Sequence, residues 1–121
     1  MSKSLNKKYE WVSKNRYDSL PDNVIYAGHT STDNNVYVGR VKNTPGKVNL
    51  ENGTIYNFWV HGLGSCQSGE VLVSDNNYKW IDIKRGDMIP KNAVYSGIDS
   101  SCDKVWVGKS SSGEPGKINC H

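Results

Sequence analysis

The chain repeats itself, and this repeat constrains the fold more than any other feature of the sequence. Residues 9–40 recur 69 positions later with many identities. A duplicated unit builds a similar backbone twice, and its copies bury a core between them. We therefore expect a single domain over 1–121, with repeat one at about 9–79 and a truncated repeat two at about 80–121. The identical positions in the first copy are Tyr9, Trp11, Arg16, Asp18, Pro21, Asn23, Tyr26, Gly28, Ser31, Val36, Val38 and Gly39.

The composition favours an all-β domain. Hydrophobic residues make up 36% of the 121 residues, and the chain contains 12 glycines. Apolar residues do not recur at helical spacing, whereas short alternating runs recur between clusters of turn residues. The expected fold is therefore one pseudo-twofold antiparallel β domain built from two tandem repeats.

The alternating runs predict four hairpins, one of them across Asn52-Gly53, a pair that favours tight turns. The two recurring tryptophans are expected to be buried core anchors at strand starts. Because repeat two is shorter, we expect an open strand edge, which the N-terminal residues, a second molecule or strand exchange between copies would cover. A homodimer is the resulting hypothesis. The expected strand pairs are 24–26 with 36–41, 47–50 with 54–60, 70–74 with 78–83, and 93–95 with 104–109.

Charge and hydropathy narrow the classes of partner. The net charge of +3 is small and sits mostly near the N-terminus, so it gives little support to nucleic-acid binding. No apolar run is long enough to span a bilayer, and no secretory leader is visible after Met1. These features predict no membrane insertion and a cytoplasmic or non-classically secreted protein.

The sequence offers little support for catalysis or for a bound cofactor. His29, His61 and Cys66 are the unusual candidates, and the repeat duplicates none of them. A zinc site would need spaced ligand pairs, whereas Cys120 and His121 are adjacent. We expect no enzyme activity, no metal site and no cofactor, with the cysteines mostly free thiols.

A polar turn followed by a Pro-Gly-Lys corner occurs in both copies. In repeat two the turn begins at Asp99 and the corner ends at Lys117; in repeat one the matching residues are Thr30 and Lys47. A carboxylate that accepts and an ammonium that donates suit the hydroxyls of a neutral sugar. The spacing alone favours a purely local role, with Asp99 capping its turn and the lysine in solvent, because both residue types are common in such turns.

The aromatic residues beside these turns are further candidates for a ligand site. Tyr37 and its counterpart Trp106 lie next to the recurring polar turns. Asp33, three residues after Thr30, could partly replace the missing carboxylate of repeat one.

Taken together, these motifs resemble the DM-nine tandem-repeat family over roughly residues 9–119. The family includes mannose-binding lectins of invertebrates, and a similar module occurs in natterin-like proteins. The resemblance implies an all-β fold and one mannose bound per repeat through an Asp and the Lys of Pro-Gly-Lys, which here are Asp99 and Lys117. The matching elements are Trp11, Leu20-Pro21-Asp22-Asn23-Val24, Ala27-Gly28, Tyr37-Val38-Gly39-Arg40, Pro45-Gly46-Lys47, Glu70-Val71-Leu72-Val73 and Trp80.

The resemblance implies a lectin for mannose-type glycans, acting in recognition or innate immunity. Two other hypotheses remain. The protein could be a structural or interaction protein that kept the fold and lost the sugar site, as Thr30 in place of Asp indicates. It could also bind acidic polymers weakly through Lys and Arg, in which case added salt would abolish binding.

Overall fold

The computed structural model describes residues 9–75 and 78–119, and within these ranges every regular element is a β-strand, so the all-β expectation is confirmed. The strands are β1 (Tyr9–Asn15), β2 (Tyr26–Thr30), β3 (Asn34–Val41), β4 (Thr44–Glu51), β5 (Thr54–Val60), β6 (Gly64–Cys66), β7 (Ser68–Ser74), β8 (Tyr95–Ile98), β9 (Lys104–Lys109) and β10 (Pro115–Asn119).

The strands form two antiparallel sheets, one in repeat one and one in repeat two. The larger sheet has seven strands in the order β1-β7-β3-β4-β5-β6, with β2 paired to β3. The smaller sheet has three strands in the order β10-β9-β8. The smaller sheet reproduces the β2-β3-β4 part of the larger one.

Three of the four expected hairpins are present. β2 pairs with β3, β4 with β5, and β8 with β9. The β4–β5 turn places Asn52 at φ 55° and Gly53 at φ 81°, the left-handed conformations that an Asn-Gly turn adopts readily. The first hairpin of each repeat also carries a bulge at the same place, between Tyr26 and Gly28 and between Tyr95 and Gly97.

The fourth expected hairpin, 70–74 with 78–83, is wrong. β7 pairs instead with β1 along its whole length and with β3 at two positions. Residues 78–83 form no strand, although their sequence repeats that of β1. A strand needs a partner for its N–H and C=O groups, and residues 78–119 contain no counterpart of β7. Asn76 and Asn77, in the turn expected there, lie outside the described residues.

The expectation that the two recurring tryptophans are buried anchors is wrong for Trp80 and is met only in part by Trp11, which packs against the core cluster that contains Val36. Trp11 is half-buried in β1, and Trp80 lies outside any strand with 37% of its surface exposed. Each indole also lies against a cation. The Arg40 guanidinium is 4.3 Å from the centre of the Trp11 ring, and the Lys109 ammonium is 4.4 Å from that of Trp80. These pairs correspond at the repeat offset, so the two tryptophans share a contact with a cation although they differ in burial.

The same two cations join the repeats to each other. Arg40 Nη1 donates to the Ser96 carbonyl oxygen at 2.6 Å, and Lys109 Nζ donates to the Ala27 carbonyl oxygen at 2.6 Å. Both donors and both acceptors are related by the offset of 69. The contacts are reciprocal, as a pseudo-twofold arrangement of the copies predicts.

The repeats also share apolar packing. One core cluster contains Val36 and Val38 of β3, and Val94 and Val107 of repeat two pack against it. A second cluster, around Phe58, fills the opposite side of the larger sheet. The side of β3 that bears Val38 therefore faces repeat two.

Candidate functional site

In each repeat one side chain closes the polar turn with a hydrogen bond. These side chains, Thr30 and Asp99, occupy matching positions of the two repeats. Thr30 Oγ1 accepts a hydrogen bond from the backbone N–H of Asp33 at 2.9 Å. Asp99 Oδ1 accepts from the backbone N–H groups of Ser101 and Asp103 at 3.0 and 3.1 Å. Both residues are buried. Turn capping is thus the role that Thr30 and Asp99 share.

The expected Asp99–Lys117 pair is formed. Lys117 Nζ donates to Asp99 Oδ2 at 2.8 Å, and the Asp99 side chain is only 2% exposed. The hydrogen bond from Lys117 and those from the Asp103 and Ser101 backbone lower the pKa of Asp99, although burial opposes them. Asp99 is therefore a charged anchor that fixes the partly exposed Lys117 ammonium.

The corresponding lysine of repeat one has two acidic partners. Lys47 Nζ is hydrogen-bonded to Asp33 Oδ2 and lies 3.0 Å from Glu114 Oε1. Asp33 belongs to the same repeat, whereas Glu114 comes from repeat two, just before β10. Burial lowers the pKa of Lys47, but its hydrogen bonds and charge interactions with Asp33 and Glu114 outweigh burial, and the pKa is raised.

The two lysine sites differ in the acceptors that they present. The Glu114 side chain is 40% exposed and Asp33 is partly exposed, whereas the carboxylate at Lys117 is buried. An ammonium has three donors, and a carboxylate accepts several hydrogen bonds. The Lys47 site can therefore donate to and accept from one polar ligand, while the Lys117 site presents mainly a donor.

The structure does not bring Tyr37 and Trp106 to these lysines. Tyr37 packs with the Phe58 cluster, on the side of β3 opposite to Val38, and Val38 is the cross-strand neighbour of Lys47. Trp106 likewise alternates with Val107, the neighbour of Lys117. Each ring makes an edge-to-face contact, Tyr37 with Tyr26 and Trp106 with Tyr95.

Two residues beside Lys47 did not stand out in the sequence. Glu114 precedes the Pro-Gly-Lys corner of repeat two, and the matching residue of repeat one is Thr44. This difference between the repeats was the one sequence feature that could have drawn attention to Glu114. Trp59 lies in β5, opposite Lys47, in a segment without a counterpart in repeat two. Neither contact follows from local spacing, because the first crosses between repeats and the second depends on a bulge at Asn49–Leu50 that shifts the β4–β5 register.

The other chemically distinctive residues are dispersed. His29 and His61 are exposed, and Cys66 and Cys102 are free thiols. Among the described residues, no three His, Cys, Asp or Glu side chains are grouped so that they could hold a metal ion. The adjacent pair at the end of the sequence, Cys120 and His121, lies outside the described residues. Residues 9–75 and 78–119 also contain no helix long and apolar enough to cross a membrane.

Fold and site together define an all-β repeat domain with one lysine–carboxylate site in each repeat. A family model, the DM9 repeat, matches residues 42–121. The chain belongs to the DM9 repeat family, a group associated with carbohydrate binding. A search of curated proteins found no match.

Proposed function

We propose that this protein is a non-catalytic lectin that binds mannose-type glycans through Lys47 and Lys117. The observation that carries the proposal is the arrangement at Lys47, where one ammonium lies between the partly exposed carboxylates of Asp33 and Glu114. Membership of the DM9 repeat family supports the same conclusion.

The chemistry of the site suits a neutral sugar. Vicinal hydroxyls both donate and accept, so they can donate to the carboxylates while accepting from the lysine. These charge-assisted bonds are directional and stronger than bonds between neutral groups. An anionic ligand would approach Asp33 and Glu114 against their negative charge, which outweighs the single charge of Lys47.

A site that makes only a few hydrogen bonds to one sugar has weak affinity. We expect a dissociation constant on the order of 1 mM for a monosaccharide. Useful avidity would come from two sites per chain and from a homodimer. In recognition or innate immunity, the protein would use this avidity to bind surfaces that carry many glycans.

A glycan array probed with the recombinant protein at low and at high salt tests the proposal. We expect binding to oligomannose that changes little with salt. Binding to acidic polymers that disappears at high salt would instead identify a polyanion binder, because release of counterions makes such binding steeply salt-dependent. Absence of binding to every neutral glycan would contradict the lectin proposal.

A further inference from the structure

An exposed tryptophan lies beside the Lys47 site. Trp59 is 43% exposed, whereas its neighbours in β5, Phe58 and Val60, are fully buried. Because side chains alternate along a strand, Trp59 points away from the core that Phe58 fills. Its cross-strand partner is Lys47, whose Nζ lies 5.8 Å from the centre of the Trp59 ring.

Polar side chains surround this ring on the same face of the sheet. Ser65 of β6 is the cross-strand partner of Trp59 on the side opposite to Lys47. Asn57, two residues before Trp59, donates from Nδ2 to Ser65 Oγ at 2.8 Å and accepts from Asn49 at 2.7 Å. Trp59 is thus an apolar surface between the lysine and a row of amide and hydroxyl groups.

This combination matches the two sides of a pyranose. The sugar ring carries hydroxyls at its edge and C–H groups on its faces. A binding site for it therefore needs hydrogen-bonding groups at the edge and an apolar surface against one face. Aromatic side chains supply such a surface at little entropic cost, since they have few rotatable bonds. Lys47, Asp33 and Glu114 supply the hydrogen-bonding groups.

We infer that Trp59 is a stacking platform that completes the Lys47 sugar site. The Lys47 site should therefore bind sugar more tightly than the Lys117 site. This inference rests on the proposed lectin function. Among residues 78–119 no strand pairs with the outer edge of β10, so the Lys117 site lacks the cross-strand position that Trp59 occupies beside Lys47. A sugar with a continuous C–H face then prefers the Lys47 site.

Nuclear magnetic resonance titration with methyl α-mannoside tests this inference in the parent protein. We expect the Trp59 indole N–H signal, assigned by its loss in Trp59→Phe, to shift together with the backbone signals of Lys47. Signals around Lys117 should saturate at a higher sugar concentration. The inference fails if sugar shifts the Lys117 signals and leaves the Trp59 indole unmoved, a result that would leave the lectin proposal intact.

Substitutions give a second, independent measure. Trp59→Ala should weaken binding at the Lys47 site about tenfold, the scale of one stacking contact, and Trp59→Phe should restore part of the loss. The matched control is Tyr56→Ala, because Tyr56 is a similarly exposed aromatic residue of β5 that contacts Arg16 instead. Equal affinity of Trp59→Ala and parent would overturn the inference, and absence of sugar shifts at both sites in the parent would overturn both proposals.

Discussion

At the level of single residues, each repeat has a lysine site, but the lysines pair with different carboxylates. Lys47 and Lys117 correspond in sequence, but one pairs with Asp33 and Glu114 and the other with Asp99. The sequence predicted both lysines because the Pro-Gly-Lys corner is a local motif. It did not predict Glu114, since that contact joins residues 67 positions apart in different repeats.

Ionisation of Asp99 should make the free energy of unfolding depend on pH in the acidic range. Its pKa is lowered in the folded protein, first by the hydrogen bond from Lys117, so its charged form stabilises the fold. This contribution is present above the ordinary pKa of 3.8 and is lost as the pH falls through the lowered folded pKa. Urea unfolding should therefore find Asp99→Asn less stable than the parent at pH 7 and nearly equal in strong acid. A difference independent of pH would contradict this assignment.

At the scale of elements, strands form where partners exist. The hairpins β2–β3, β4–β5 and β8–β9 were predictable because each is closed by a short turn with recognisable residues. The pairing of β1 with β7 was not predictable, because those strands are far apart in the sequence and no turn joins them. The same physics explains why residues 78–83 repeat the sequence of β1 without its structure.

Arg40 and Lys109 each donate one hydrogen bond across the repeats, but Arg40 also pairs with a carboxylate of its own repeat, so the two side chains should contribute unequally to stability. Arg40 binds Glu70 at 2.7 Å and the Ser96 carbonyl, whereas Lys109 binds the Ala27 carbonyl. Arg40→Met should cost about 3 kcal/mol of unfolding free energy, because it leaves a carboxylate and a carbonyl unpaired, and Lys109→Met about 1 kcal/mol. Chemical denaturation measures both values. Equal losses, or a larger loss for Lys109→Met, would show that this ranking is wrong.

At the scale of the whole molecule, the repeats share a core but present different outer edges. β4 is paired on its outer edge by β5, whereas no described strand pairs with the outer edge of its counterpart β10. Unpaired strand edges readily accept a strand from another chain. The homodimer expected from the sequence thus remains a prediction with a specific location.

Light scattering during gel filtration measures this assembly directly. We expect a mass about twice the 13.5 kDa of the chain at micromolar concentration. Hydrogen exchange should then protect the backbone amides of β10 that face the outer edge. A mass of one chain, with rapid exchange at those amides, would rule out the dimer.

The most direct test of the central claim is a mannose titration of a variant that lacks both lysines. The parent should bind methyl α-mannoside with a dissociation constant on the order of 1 mM, and Lys47→Ala/Lys117→Ala should show no saturable binding. The control Lys91→Ala/Lys104→Ala removes the same charge from exposed positions and should bind like the parent. Binding of the Lys47→Ala/Lys117→Ala protein with the parent's affinity would contradict the account.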